Sequence, residues 1–167
     1  YNEAKELLFK DSSDVINAAR NKAFQDFVVQ GIPTRKNENY KYTNLHPRFS
    51  SDFKFVHQRE NNEVDTKTVY RCDVPQLDTD PKLIFNGWYN KSDNKSLELP
   101  EGVILCSLEE IAQENPELIE KYYAKIAKTD ADPMVALNTA YAKDGYFIYV
   151  PKNANIEKPI QLVNFLQ

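Results

Sequence analysis

The last third of the chain does most to constrain the fold. Ala136-Leu137-Asn138-Thr139-Ala140 is followed by Lys143-Asp144-Gly145, by Tyr146-Phe147-Ile148-Tyr149-Val150-Pro151, and then by Glu157-Lys158-Pro159-Ile160-Gln161-Leu162. This order predicts a helix, a tight turn and a short strand: glycine accepts turn geometry, and proline ends a strand by withholding an N–H. A second apolar strand, Pro159 to Phe165, runs up to Gln167 without a turn or closing element. The chain reads as a domain cut where a larger one begins, with the partners of its last two strands expected mostly downstream.

Upstream, Ser13 is placed to cap a helix carrying Val15, Ile16, Ala19, Ala23, Phe24, Phe27 and Val28 on one face. Gly31 followed by Pro33 is its stop signal. From Thr34 to about Asp80 the chain is polar and irregular in period. Short strands are expected at Phe53–Val56 and Val69–Cys72, with a charged, mobile or partly extended stretch from Arg59 to Thr68. Lys82-Leu83-Ile84-Phe85, Asn86-Gly87 and Trp88-Tyr89-Asn90 form a hairpin pattern, because Asn-Gly accepts the positive φ values of a type I′ turn. Val103–Cys106 reads as another strand. Ser107-Leu108-Glu109-Glu110 is a capping box, and Asn115-Pro116 and Asp132-Pro133 are start signals for helices over 116–127 and 133–142.

Composition excludes more than it assigns. With 167 residues, 41% of them hydrophobic, the chain has enough apolar side chains for a real core. Its 21 basic and 25 acidic residues leave a net charge of -4, which implies neither a nucleic-acid nor a membrane partner. No apolar run reaches the ~18 residues of a membrane span. Cys72 and Cys106 stand in unrelated segments without ligand spacing, so a reduced, cytoplasmic protein is expected.

Catalytic and cofactor motifs are absent. The four glycines, at 31, 87, 102 and 145, form neither G-x-x-x-x-G-K-[ST] nor G-x-G-x-x-G. His46 and His57 fit no metal or nucleophile-base pattern and read as ordinary surface or half-buried histidines. Cys106 reads as a small buried hydrophobe, and Cys72, beside Arg71, as the more exposed thiol. Carboxylates at helix starts are accounted for by the helix dipole. No catalytic, cofactor or metal residue is assigned. The segment from Arg35 to Thr43 interleaves basic residues with Tyr40 and Tyr42. Stacking on single strands is one reading; packing, with the rings buried and the hydroxyls finding polar partners, is the preferred one.

Three segments together resemble the SufB/SufD family of iron–sulfur cluster assembly proteins, and its SufD branch in particular. Gly31-Ile32-Pro33 with Arg35-Lys36 and then Glu38-Asn39-Tyr40-Lys41-Tyr42-Thr43 is similar to the family's G-[IL]-P followed by E-x-W-[KR]-[YF]-T, with Tyr40 where tryptophan is usual. Leu83 to Tyr89 resembles its aromatic hairpin. Leu137-Asn138-Thr139-Ala140, Asp144-Gly145, Ile148, Val150-Pro151 and Pro159-Ile160 resemble its passage into a β-helix.

The resemblance implies an α+β fold: N-terminal helices and a small mixed α/β region leading into the first strands of a right-handed parallel β-helix. The expected division is 1–145 (helical 1–31, irregular 32–81, hairpin and helices 82–145) and 146–167, the start of the β-helix. It further implies a non-enzymatic scaffold working with SufB-like and SufC-like (ABC-type ATPase) proteins. The iron–sulfur cluster is then built by the full complex, with no cofactor in this segment. Arg35, Glu38, Tyr40, Lys41, Tyr42 and Thr43 are the motif residues expected to serve packing or interaction. The rival readings are an accessory peptide- or glycan-binding module of another β-helix protein, using Tyr40 and Tyr42, and the non-catalytic part of a β-helix enzyme.

Overall fold

The structure is a computed structural model that describes residues 1–51, 79–91 and 99–166. The expected strands at Phe53–Val56 and Val69–Cys72, the stretch Arg59 to Thr68, His57 and Cys72 lie outside the described residues. The helices are α1 (Asn2–Phe9), α2 (Asp14–Gln30), α3 (His46–Phe49), α4 (Leu108–Glu114), α5 (Pro116–Tyr122) and α6 (Pro133–Tyr141), with a 3-10 turn at Glu38–Tyr40. The strands are β1 (Asp80–Phe85), β2 (Trp88–Tyr89), β3 (Ile104–Ser107), β4 (Tyr146–Tyr149) and β5 (Ile160–Phe165). The described residues divide into two compact units: one holds 1–51 and 111–142, and the other 79–91, 99–110 and 143–166.

In the helical unit α2 starts as its sequence dictates, with Ser13 Oγ accepting the Ile16 N–H at 3.3 Å. It stops at Gly31, whose φ of 67° is open to glycine, while the Gly31 N–H donates to the Phe27 carbonyl at 2.7 Å. α2 packs along α6. Ala23, Ala136 and Ala140, all fully buried, let two helix backbones approach closely.

The buried residues of α2 are Ile16, Arg20 and Ala23, so an arginine interrupts its apolar line. Its guanidinium donates to main-chain carbonyls, a hydroxyl and a side-chain amide. Nε and Nη2 donate to the Ala142 carbonyl at 2.9 and 2.7 Å. Nη1 donates to the Leu8 carbonyl, Ser12 Oγ and Asn17 Oδ1 at 2.9, 2.7 and 2.8 Å. Arg20 thereby ties the end of α1, the start of α2 and the exit of α6 together.

Three expectations for this unit are corrected. Val28 is exposed rather than packed, because it lies off the buried line. The helix expected over 116–127 ends at Tyr122, since Ala124 takes a left-handed φ of 54°. The stretch expected to be irregular from 32 onward contains the 3-10 turn and α3, the latter started by Pro47.

The second unit holds a sheet of order β2-β1-β5 and a pair β3-β4. The hairpin forms as Asn86-Gly87 predicts, with φ of 47° and 85°. β4 pairs antiparallel with β3, from Ile104↔Tyr149 to Ser107↔Tyr146. β5 pairs in parallel with β1, from Asp80↔Ile160 to Phe85↔Phe165. Each of the last two strands therefore has one partner upstream. Side-chain complementarity accounts for the pairing: Phe85 and Phe165 stack with centroids 5.5 Å apart, and Thr79 Oγ1 and Gln161 Oε1 lie 2.8 Å apart.

Asp144, in the predicted turn, is the polar centre of this unit. Its carboxylate accepts from the Tyr89 N–H at 3.0 Å, the Ser107 hydroxyl at 2.8 Å and the Glu109 N–H at 3.2 Å. Ser107 Oγ in turn accepts the Glu110 N–H at 3.2 Å, the cap expected of it, while the Glu110 carboxylate meets Lys91. Lys143 and Glu109 form a 2.9 Å ion pair beside them.

Candidate functional site

The motif segment is laid out by local hydrogen bonds. Pro33 is fully buried and fixes the departure of the chain from α2. Asn37 Oδ1 then accepts the Thr34 N–H at 3.1 Å, and the Thr34 carbonyl accepts the Asn37 N–H at 2.9 Å, which closes a β-turn over 34–37. The 3-10 turn follows, with the Tyr40 N–H donating to the Asn37 carbonyl and the Thr43 N–H to the Tyr40 carbonyl, both at 2.9 Å.

This geometry sends Tyr40 inward and its neighbours outward. The Tyr40 hydroxyl donates to both Asp132 oxygens, at 2.7 and 2.9 Å. Asp132 Oδ1 also accepts the N–H groups of Met134 and Val135, at 2.8 and 3.2 Å, so one carboxylate caps α6 and holds the motif. A small cavity of about 160 Å³ lies at this junction, lined by Asn37, Tyr40, Asp132 and Pro133 among others.

The electrostatics follow from the contact. Burial, then the hydrogen bond and charge of Asp132, push the Tyr40 phenol up to about 12. For Asp132, burial raises the carboxyl. The hydrogen bonds from Tyr40, Val135 and Met134 together outweigh it, and the group titrates below the usual aspartate range.

The other motif residues, Arg35, Glu38, Lys41, Tyr42 and Thr43, are exposed. Lys41 Nζ lies 3.8 Å from Glu38 Oε1 and 5.6 Å from the Tyr42 ring centroid. Tyr42 is 91% exposed. The packing reading therefore holds for Tyr40 and not for Tyr42, which presents its ring and a cation to solvent. His46 is exposed at the start of α3, and Cys106 sits half-buried in β3 opposite Phe147. Among the described residues, no three His, Cys, Asp or Glu side chains are grouped to hold a metal ion. No described helix is long and apolar enough to cross a membrane.

Sequence reasoning missed Asp132 as the partner of Tyr40, reading it only as a helix cap. The available signal was the spare acceptor capacity of a capping carboxylate, which uses one oxygen on the helix.

The family model described as the SufBD protein N-terminal region matches residues 1–162. This chain belongs to the SufBD family. An iron–sulfur cluster assembly SufBD family protein of Arabidopsis thaliana is 36% identical over 97 residues, covering 54% of this chain and 21% of the relative. A chloroplastic SufBD family protein of the same plant is 44% identical over 66 residues, 40% of this chain and 12% of its own length. A SufBD family protein of Staphylococcus aureus is 41% identical over 69 residues, 41% and 15% respectively. The chain thus spans about a fifth or less of the SufBD relatives it matches. The match spans the motif turn, the hairpin and the Asp144-Gly145 turn, so the Tyr40–Asp132 tie and the Asp144 centre lie in the SufBD N-terminal region.

Proposed function

We propose that this chain is the N-terminal α+β portion of a SufD-like scaffold component in iron–sulfur cluster assembly. It acts by structure and interaction rather than by catalysis, within an assembly that includes a SufB-like protein and a SufC-like ATPase of the ABC type. The cluster is the cargo of that assembly, and no residue of this chain is assigned to ligate it. The strands β4 and β5 lead toward a right-handed parallel β-helix, and the setting is reducing and cytoplasmic.

The observation that carries this reading is family membership over residues 1–162, alongside relatives named for cluster assembly. The preference for the SufD branch rests on the motif resemblance. The site geometry supports an interaction role: Tyr40 is committed inward to Asp132, while Arg35, Lys41 and Tyr42 are exposed. A glycan- or peptide-binding role for Tyr40 and Tyr42 as a pair is not favoured, because only Tyr42 offers its ring.

Affinity purification of the full-length protein from its own cells tests the proposal. Co-recovery of a SufB-like protein and an ABC-type ATPase is expected, and recovery of neither overturns the scaffold reading. Rescue of cells lacking SufD, and not of cells lacking SufB, is expected for the branch. The reverse pattern reassigns it. Anaerobic reconstitution of this chain with iron and sulfide should give no visible-range cluster absorbance; a stoichiometric cluster would show that it carries ligands of its own.

A further inference from the structure

The family motif leaves one groove of the helical unit unexplained. It runs between α2 and the 120–130 stretch and has a volume of about 530 Å³. Val15, Ala18, Ala19 and Tyr123 give it an apolar lining, and Lys125 and Lys128 line it as well. Such a volume is in the range of a binding cleft, ~300–1,000 Å³.

The cations are not equivalent. Lys22 also lines the groove, but its Nζ lies 2.5 Å from Asp26 Oδ2, and the Thr129 hydroxyl donates to the same carboxylate. Lys125 and Lys128 are exposed and have no such acid among the described residues. From Lys121 to Lys128 the chain has three lysines and no acid, against a net charge of -4 for the whole. Between the two free lysines Ile126 is 95% exposed. The early end of α5 at the left-handed Ala124 produces this display, since a continued helix would have wound these side chains around a cylinder.

We infer that this groove docks an acidic amphipathic segment of another protein, with an apolar side chain against Val15 and Ala18 and carboxylates facing Lys125 and Lys128. Charge complementarity selects the occupant. The two exposed cations match carboxylates on the occupant, and the apolar lining calls for a residue such as leucine beside them. Glu120 and Asp130 also line the groove. They repel a uniformly anionic polymer or bilayer and fix the register of a mixed segment. The groove serves this purpose whether or not the protein acts in cluster assembly.

Fluorescence anisotropy tests the inference, with the full-length protein titrated into a labelled helical peptide of glutamate and leucine in amphipathic repeat. Binding is expected to weaken about tenfold in the Lys125→Glu, Lys128→Glu double variant, and severalfold on raising salt from ~0.05 to ~0.3 M. Both lysines are exposed, so the variant should melt like the parent. It should also gain affinity for the charge-reversed lysine-leucine peptide, a readout that loss of folding does not produce. Ala18→Arg, which fills the groove, should abolish binding of both peptides. Equal affinity in parent and double variant overturns the inference. So does binding to anionic phospholipid vesicles or single-stranded RNA without binding to the peptide.

Discussion

The hydroxyl of Tyr40 and the carboxylate of Asp132 meet from positions 92 residues apart, at 2.7 and 2.9 Å, and the same carboxylate starts α6. The motif turn and the helix are therefore energetically coupled. Tyr40→Phe should cost about 1 kcal/mol, the net value of a partly exposed hydrogen bond to a charge. Asp132→Ala should cost about 2 kcal/mol, because it removes the cap as well. Chemical denaturation of the two single variants and the double variant should return a coupling of about 1 kcal/mol.

The same contact fixes a pH dependence at both ends. The Tyr40 phenol is raised to about 12 in the folded protein, above its ordinary value of ~10. A raised pKa contributes stability that is complete below the unfolded value and is lost as pH climbs through the folded one, here between about 10 and 12. Asp132 is lowered, so its contribution is present above ~3.9 and is lost as pH falls through the folded value. Ultraviolet phenolate titration should show one tyrosine ionising near 12 that disappears in Tyr40→Phe.

Removing the guanidinium of Arg20 should be the most damaging change in the helical unit. Arg20→Met keeps the aliphatic stem but removes the charged donors to the Leu8 and Ala142 carbonyls and to Ser12 and Asn17. At ~1.5–3 kcal/mol for a hydrogen bond to a charged group, a loss of about 4 kcal/mol is expected. Arg20→Lys should recover less than half of it, since one ammonium does not span both carbonyls. Thermal melts should fall by roughly 10 °C for Arg20→Met.

Asp144→Ala should loosen three elements at once. The Tyr89 N–H, the Ser107 hydroxyl and the Glu109 N–H lose a shared acceptor. A cost of about 3 kcal/mol is expected. Hydrogen exchange should speed up at Tyr89 and Glu109 together; acceleration at only one would mean that the carboxylate is not their common anchor.

Exchange also reports on β5. Those of its amides between Ile160 and Phe165 that point at β1, every second one, should be slow as members of that ladder. Val163→Pro should speed exchange in β1 and β5 while leaving α6 unchanged, because a central proline breaks a ladder.

Much of the local structure was legible because local chemistry sets it. Ser13, Asn115 and Asp132 cap helices as their side chains and the following residues dictate, and Asn86-Gly87 turns the chain as its φ values allow. Partners at long range were not legible. The alternation in Ile160–Phe165 marks a strand but says nothing about Asp80–Phe85 as its neighbour, a choice made by Phe85 against Phe165. Arg20 was unreadable for a related reason: its acceptors outside α2 and the turn before it are main-chain carbonyls, which every residue carries. The inward turn of Tyr40 agreed with the packing preference, whereas nothing in the sequence separated it from the exposed Tyr42.

The reach of Arg20 to the carbonyl of Ala142 spans 122 residues. On the ribosome, α2 emerges long before that acceptor exists, and at ~5–20 residues per second the wait is on the order of ten seconds. During that interval the guanidinium and the Ile16–Ala23 face have no final place to pack. A chaperone that shields α2 while translation continues would therefore raise the yield of folded protein, and slowing elongation between α2 and α6 would lower it.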